Sequence, residues 1–560
     1  MRQLRIPSSA LVAGAAVVIG LTLGTVTAEM QDRVNSRTRI YTAALAAIET
    51  QYVEPLDELC ASPGVCGTEA LIYGSIDGML RTLDPHSNFF SPQDFSRMRE
   101  RQEGRYFGIG ISIVRTPEGD VTVASLFEGS PAYRAGIRRG DIIAKVGEED
   151  AKGWQTEDVV KRVKGPKGTT IEISIRRPGL EALIPLTVER DEIRIASVRT
   201  AFMIAPGTGY VRLQDFSETT NDELGEALTR LKGAGMQRLV LDLRDNPGGP
   251  LDQAIAVSNR FLPRGQVIVS TRGRVQDSDE VYKATRQGEY TDVPLVIVVN
   301  RGSASASEIV TGAMQDHDRG IVVGETTFGK ALVQSVYPIS NGAGLALTTG
   351  RYYTPSGRMI QRPWDSSFDD YGLYAVQEQQ PARPHRPEDM KLTDGQRPVY
   401  SGGGIEPDHF LAGPVEGFNP SRFSRTLASR GVFVGFAERF TKEGDQRPGA
   451  QSAAAHRVAP GWTLTDAMVE EFREYLQSQR VRINEAALTA DLPFVKAMIH
   501  YEVDIDLFGV EEARRFFSNG DPQLIAAVGY FDEANALLEM AAARAAGVVP
   551  SAASAAGAVR

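Results

Sequence analysis

Two stretches, Leu239-Val240-Leu241-Asp242-Leu243 and Leu295-Val296-Ile297-Val298-Val299, are apolar at nearly every position. A half-exposed strand alternates apolar and polar residues, so unbroken runs of this length predict strands covered on both faces. Segments with helical spacing, Leu251–Phe261 and Ser305–Met314, follow them and give a βα alternation over about 195–412. Ile321-Val322-Val323 and Ala331–Tyr337 read as further strands. Upstream, between Gly104 and Arg190, the period is closer to two. Tyr106–Ile113 predicts an edge strand after a glycine loop, Asp141–Val146 and Thr170–Arg176 predict strands, Gly129-Ser130-Pro131-Ala132 opens a helical turn ending at Gly136, and Thr156 caps a helix through Val163.

Helical spacing of Tyr41, Leu45, Ile48 and Tyr52, with a second stretch over Thr68–Thr82, predicts a small helical block before this β-rich segment. Beyond the α/β block the pattern is helical, with Met468, Val469, Phe472, Tyr475 and Leu476 on one stripe. Pro363–Gly403 is polar and rich in Pro and Gly, which predicts a long loop or insertion. Lys442–Gly461 reads as a linker, and the Ala-rich tail from Gly547 as disordered.

At 560 residues the chain is long for one core, so three or four units are expected. Its net charge of −10 disfavours a nucleic-acid partner, which needs a basic face. Arg2 and Arg5 precede an uncharged, mostly apolar run from Ala10 to Ala28 that closes on Val26-Thr27-Ala28. This order predicts a signal peptide or an uncleaved membrane anchor, and both carry the rest of the chain across a membrane. In an exported chain, Cys60 and Cys66 either close a small disulfide loop or remain free thiols. No His-Glu-x-x-His occurs, and no metal site is expected.

Candidate chemistry centres on Ser303-Ala304-Ser305-Ala306-Ser307-Glu308. A serine between a buried strand and a helix start has its hydroxyl at a strand end, beside unpaired N–H groups that can hold an oxyanion. The same residues fit a capping box, S-x-x-E, and three alternating serines do not identify a nucleophile. A nucleophilic serine also needs a base. His317 lies about 18 Å along the same helix, out of reach, and His86 suits a surface or capping role. Lys330 can serve if burial disfavours its ammonium form; a lysine whose stem snorkels out of a strand is the structural alternative. Gly324-Glu325-Thr326-Thr327-Phe328-Gly329-Lys330 also imitates a P-loop, but Ala331 stands where Ser or Thr must bind magnesium, and an extended segment follows.

Taken together, the chain resembles the carboxyl-terminal processing (tail-specific) protease family. The resemblance rests on Leu83-Asp84-Pro85-His86-Ser87, Gly129-Ser130-Pro131-Ala132, Asp242–Gly249, Gly302–Glu308, Gly324–Gln334, Thr348–Pro355 and Gly404-Ile405-Glu406-Pro407-Asp408, in family order over about 36–412. It implies Ser305 as nucleophile, Lys330 as base and Gln334 as the residue that orients the lysine. It implies an oxyanion hole from the N–H groups of Ala306 and Gly249, with Gly248 the close alternative. It further implies a PDZ domain that captures protein C-termini on the Phe107-Gly108-Ile109-Gly110 loop. A neutral lysine implies activity that rises with pH. No cofactor is needed.

The implied fold is α/β and multidomain: a crotonase-like ββα catalytic core, an inserted PDZ β-sandwich or barrel, an N-terminal helical cap and a C-terminal helical region. Residues 1–28 form the leader or anchor, 29–100 the cap, 101–190 the PDZ domain, 191–412 the Ser–Lys core, 413–546 the helical region and 547–560 the tail. With the leader, this describes a periplasmic endopeptidase, soluble or held at the inner membrane, acting on protein tails. The alternative is a catalytically silent PDZ scaffold. Ala331 departs from the glycine of many relatives, and the insertion after Arg362 and the chain beyond Ala412 fall outside the resemblance. The helical region is left open to forming a homo-oligomer, docking an adaptor or capping the core.

Overall fold

The structure is a computed structural model that describes residues 37–62, 65–116, 119–127, 129–177, 180–275, 278–364, 371–375, 385–412, 421–441 and 458–547. The expected leader, most of the expected linker and nearly all of the expected tail lie outside the described residues. The chain divides into two units, Met1–Ser91 and Pro92–Arg560. Among the described residues no helix is long and apolar enough to cross a membrane.

In the first unit, helices over 37–51 and Gly67–Arg81 flank a hairpin of Cys60–Ser62 and Val65–Cys66. Cys60 and Cys66 are joined as a disulfide, so the free-thiol alternative falls. Leu83–Ser87 is a turn organised by Asp84, whose carboxylate accepts the N–H groups of His86 and Ser87 and the Ser87 hydroxyl, each at 2.8 Å.

In the second unit, the strand expected over Tyr106–Ile113 is two strands, Arg105–Gly108 and Ile111–Arg115. Gly110 takes φ +80°, a left-handed conformation that ends the extended run. The first strand pairs with Asp191–Arg194; the second edges a sheet ordered Ile184–Glu189, Thr170–Arg176, Ile142–Val146, Val121–Leu126, Ile111–Arg115. The helix Thr156–Val163 forms, with Gln155 rather than Thr156 as its N-cap. This body is tied to the C-terminal helices by Arg139, which bonds Glu502 and Asp506 at 2.8 Å each.

The central sheet orders its strands Val198–Ala205, Thr208–Leu213, Arg238–Asp242, Leu295–Val299, Ile321–Gly324 and His409–Phe410, and all but the first run parallel. Leu295, Ile297 and Val299 face one core with Leu224, Val257 and Val310, from helices Thr220–Gly233, Leu251–Asn259 and Ala306–Asp316. Val296 and Val298 face a second core with Leu524, Phe531 and Leu537, from helices Pro522–Gly529 and Phe531–Ala545. The last two helices are therefore the second layer of the central sheet, which is why its strands read as unbroken apolar runs. The preceding helices close on a separate core around Phe433, Phe436, Phe472, Leu476 and Ile499.

Strands Glu280–Lys283, Val267–Gly273, Gly344–Tyr353 and Leu332–Pro338 lie in that order in a further antiparallel sheet. Lys330 thus leads into a strand rather than a helix, and the P-loop resemblance has no structural basis.

Candidate active site

The strand Leu295–Val299 ends in a turn that separates the three serines by role. The Ser303 hydroxyl donates to the Leu243 carbonyl at 2.7 Å and accepts the Asn300 N–H at 3.0 Å. The Ser307 hydroxyl donates to the Asn246 carbonyl at 3.0 Å. Both serines are fully buried. Ser305, at the N-cap of Ala306–Asp316, is half-buried, and among the described residues its hydroxyl donates to no carbonyl. Its backbone sits at φ +55°, ψ −112°, a sparsely populated region for a residue with a Cβ. Strain of this kind costs about 1–3 kcal/mol and collects at functional sites, as in the sharp strand-to-helix turns that carry nucleophiles. The sequence could not choose among the serines because the deciding carbonyls, of Leu243 and Asn246, lie about 60 residues upstream.

Lys330 is half-buried, and its Nζ donates to Gln334 Oε1 at 2.8 Å, the contact expected of an orienting residue. Two buried side chains join its backbone to that of Ser305. Glu308 Oε2 accepts the Ser305 N–H at 2.8 Å and the Lys330 N–H at 2.9 Å. Its Oε1 accepts the Gly329 N–H at 2.6 Å and the Thr327 hydroxyl. Burial pushes the Glu308 carboxyl up from its usual range, and these four donors pull against it. The Tyr352 hydroxyl, also buried, donates to the carbonyls of Lys330 at 2.6 Å and Ser305 at 3.2 Å. The capping box is present, but its glutamate does more than cap, because it also gathers the loop before Lys330. A glutamate among Ala306, Ile309 and Val310 at the start of an apolar helix was the available signal; Tyr352, in the Thr348–Pro355 motif, gave none.

Across from Ser305 stands the double-glycine turn. Gly248, at φ +92°, lies so close that a Cβ on it would be 2.8 Å from the Ser305 Cβ and from the Ala306 nitrogen. Its N–H is spent on Asn246 Oδ1 at 2.9 Å, and its carbonyl accepts the Phe216 N–H at 3.0 Å. A planar trans peptide then directs the Gly249 N–H away from Phe216. Among the described residues the N–H groups of Gly249 and Ala306 have no acceptor. Gly249, rather than Gly248, is therefore the glycine with a donor to offer.

Phe107 and Gly108 end the strand paired with Asp191–Arg194, and Ile109 and Gly110 link it to Ile111–Arg115 at the edge of the larger sheet. Ile109 is buried in the core of that larger sheet, so a peptide there could meet only its backbone, while Phe107 is exposed. The carbonyls of Ile109 and Gly110 accept the N–H groups of Ala132 and Phe127 at 2.9 and 3.1 Å, and the Ser130 hydroxyl also donates to Gly110 at 3.2 Å. Trans geometry aims the following N–H groups, of Gly110 and Ile111, the opposite way. The strand Ile111–Arg115 is at the sheet edge beside the helix Thr156–Val163, an arrangement open to an added strand.

His317 is taken up elsewhere: Nδ1 pairs with Asp394 and Nε2 with the Val267 carbonyl, both at 2.7 Å. Among the described residues no cluster of His, Cys, Asp or Glu could hold a metal ion.

A model of peptidase family S41 matches residues 207–364, and a PDZ domain model matches residues 98–176. The chain is 38% identical over 320 residues to a carboxy-terminal-processing protease of Bartonella bacilliformis, covering 56% of this chain and 70% of that protein. It is 37% identical over 287 residues to a carboxyl-terminal-processing protease of Picosynechococcus, covering 50% and 69%. The solved structure of a photosystem II D1 C-terminal processing protease is 29% identical and covers 61% of this chain and 82% of its own, with a TM-score of 0.33. A superposition that loose adds nothing to the comparison of folds.

Proposed function

The chain belongs to the carboxyl-terminal processing protease family, and on that premise we propose that Ser305 is its nucleophile and Lys330 its general base. It is a serine-type endopeptidase of that family with a PDZ domain, which sets the scaffold alternative aside. The observation that carries the assignment is the double bridge: Glu308 and Tyr352 each bond the backbones of both Ser305 and Lys330.

Ser305 Oγ attacks the scissile carbonyl carbon while its proton passes to a neutral Lys330 Nζ, oriented by Gln334. The new C–O bond leaves an oxyanion, held by the N–H groups of Gly249 and Ala306. The C–N bond then breaks, and Lys330 returns the proton to the departing amine. Water, giving its proton to the same lysine, next attacks the acyl-enzyme ester, and as the C–O bond breaks the lysine passes that proton to Ser305 Oγ and is neutral again. Protein tails add to the edge strand Ile111–Arg115, their carboxylates on the N–H groups beside Gly110. The basic-then-apolar order before Ala28 supports export to the periplasm, as a secreted or an anchored protein.

The test compares residues 29–560 as wild type, Ser305→Ala and Lys330→Ala on an unstructured protein. Cleavage by the wild type alone is expected; equal cleavage by all three overturns the assignment. Fractionating cells that express the full chain tests export, and a cytoplasmic pool alone contradicts it.

A further inference from the structure

The loop that delivers Lys330, Thr327–Gly329, has no strand pairing of its own. Arg362 gathers it instead. Its Nε donates to the Phe328 carbonyl at 2.8 Å, and its Nη2 to the carbonyls of Thr327 at 3.2 Å and Gly403. The Arg362 N–H donates to the Gly329 carbonyl at 2.8 Å. Among the described residues no carboxylate pairs with this guanidinium. Its counterpart is the face of Tyr374, 3.5 Å away, a cation–π contact strengthened by burial. On the other side of the lysine, the Ala331 N–H donates to Gln361 Oε1 at 2.9 Å, and Gln361 Nε2 donates to the Tyr371 hydroxyl at 3.0 Å. The Tyr371 ring meets Phe328 edge-on, with centroids 5.1 Å apart.

The residues just before and just after Lys330 are thus held by Arg362 and Gln361, and each of these is held by a tyrosine from the polar insertion. We propose that Tyr371 and Tyr374, acting through Gln361 and Arg362, are positioning residues that fix the lysine-bearing loop for catalysis. The inference rests on Lys330 being the base. Misplacing a reacting group by about 1 Å costs on the order of 100-fold in rate, so loosening this loop is expected to slow catalysis.

The experiment uses residues 29–560 and measures three quantities: kcat and KM on a protein-tail substrate, phosphonylation of Ser305 by a small fluorophosphonate (fluoride leaving) against pH, and thermal unfolding. Tyr374→Leu is expected to lower kcat and the phosphonylation rate about 10-fold at unchanged KM, and to shift the midpoint of the phosphonylation pH profile. Tyr374→Phe keeps the ring and is expected to restore rate and midpoint to within about two-fold of wild type. If Tyr374→Leu fails to fold, Arg362→Lys, which keeps the charge and loses the fork, is expected to give the same signature. A folded Tyr374→Leu or Arg362→Lys with wild-type kcat and midpoint overturns the inference, as does a Tyr374→Phe no better than Tyr374→Leu. Lys330→Ala separates the two levels. If it is phosphonylated at the wild-type rate, the base assignment itself fails; if it is inert while Tyr374→Leu is normal, only the positioning role fails.

Discussion

Replacing Gly248 by alanine should impair catalysis far more than it impairs folding. A Cβ there would lie 2.7 Å from the Ala304 carbonyl oxygen and 2.8 Å from the Ala306 nitrogen and the Ser305 Cβ. These approaches fall about 0.6 Å inside the 3.4 Å at which ordinary contact begins. The position also has φ +92°, where a Cβ costs about 1–2 kcal/mol, and the overlap adds about 1–3 kcal/mol. The atoms that must yield carry the proposed nucleophile and one proposed oxyanion donor. Loss of a single such donor costs about 10²–10³ in kcat, so a fall of at least about 100-fold is expected, with KM for a tail peptide within about two-fold. Gly265→Ala is the control: it has φ +93° and open space around the Cβ site, so it carries the strain without the overlap. The assay pairs steady-state cleavage with urea unfolding of all three proteins. A Gly248→Ala kcat within about three-fold of wild type, or a loss matched by Gly265→Ala, would refute the reasoning.

Tyr352→Phe leaves the ring buried and deprives the Lys330 carbonyl of its bond, which should cost about 1–2 kcal/mol in stability and lower kcat by about ten-fold. Unchanged kinetics would show that the bridge does not position the base. Ending the chain at Gly509 removes Leu524, Phe531 and Leu537, each worth about 1.5–3 kcal/mol of burial, and the Asp521 and Gln523 partners of Arg244. The sum of about 5–9 kcal/mol rivals the whole stability of a domain, so no cooperative thermal transition is expected; a folded, active truncation contradicts the two-layer core. Burial pulls the His317 pKa down, but Asp394 and the Val267 carbonyl leave it raised above 6.5, while the His317 bond lowers Asp394 from 3.8. Their stabilisation is full between those two values, fades as pH rises through the raised histidine value and also fades as pH falls through the lowered aspartate value. Wild type should therefore exceed His317→Gln by about 1 kcal/mol, an amount limited by the exposure of Asp394, near pH 5–6, and by less near pH 9. A difference independent of pH in urea titrations would refute this.

The elements of the core were legible because its strands are buried on both faces, which leaves a plain compositional mark at Leu239–Leu243 and Leu295–Val299. What covers the second face was not legible, since Leu524, Phe531 and Leu537 are more than 200 residues away and form an ordinary amphipathic pattern. The Tyr106–Ile113 run looked like one strand because periodicity does not register a left-handed glycine; Gly110 alone turns the chain. Ser305, Lys330 and Gln334 came from motif order rather than from local chemistry. Their supports are long-range hydrogen bonds between residues 19 to 47 positions apart, such as Glu308 to Thr327 and Tyr352 to Ser305, to which local spacing is blind.

Mass mapping of the covalent adduct left by a fluorophosphonate on residues 29–560 bears most directly on the Ser–Lys pairing. One adduct is expected, on Ser305, forming at least about 100-fold more slowly in Lys330→Ala. An adduct on Ser303 or Ser307, or full-rate labelling without the lysine, would contradict it.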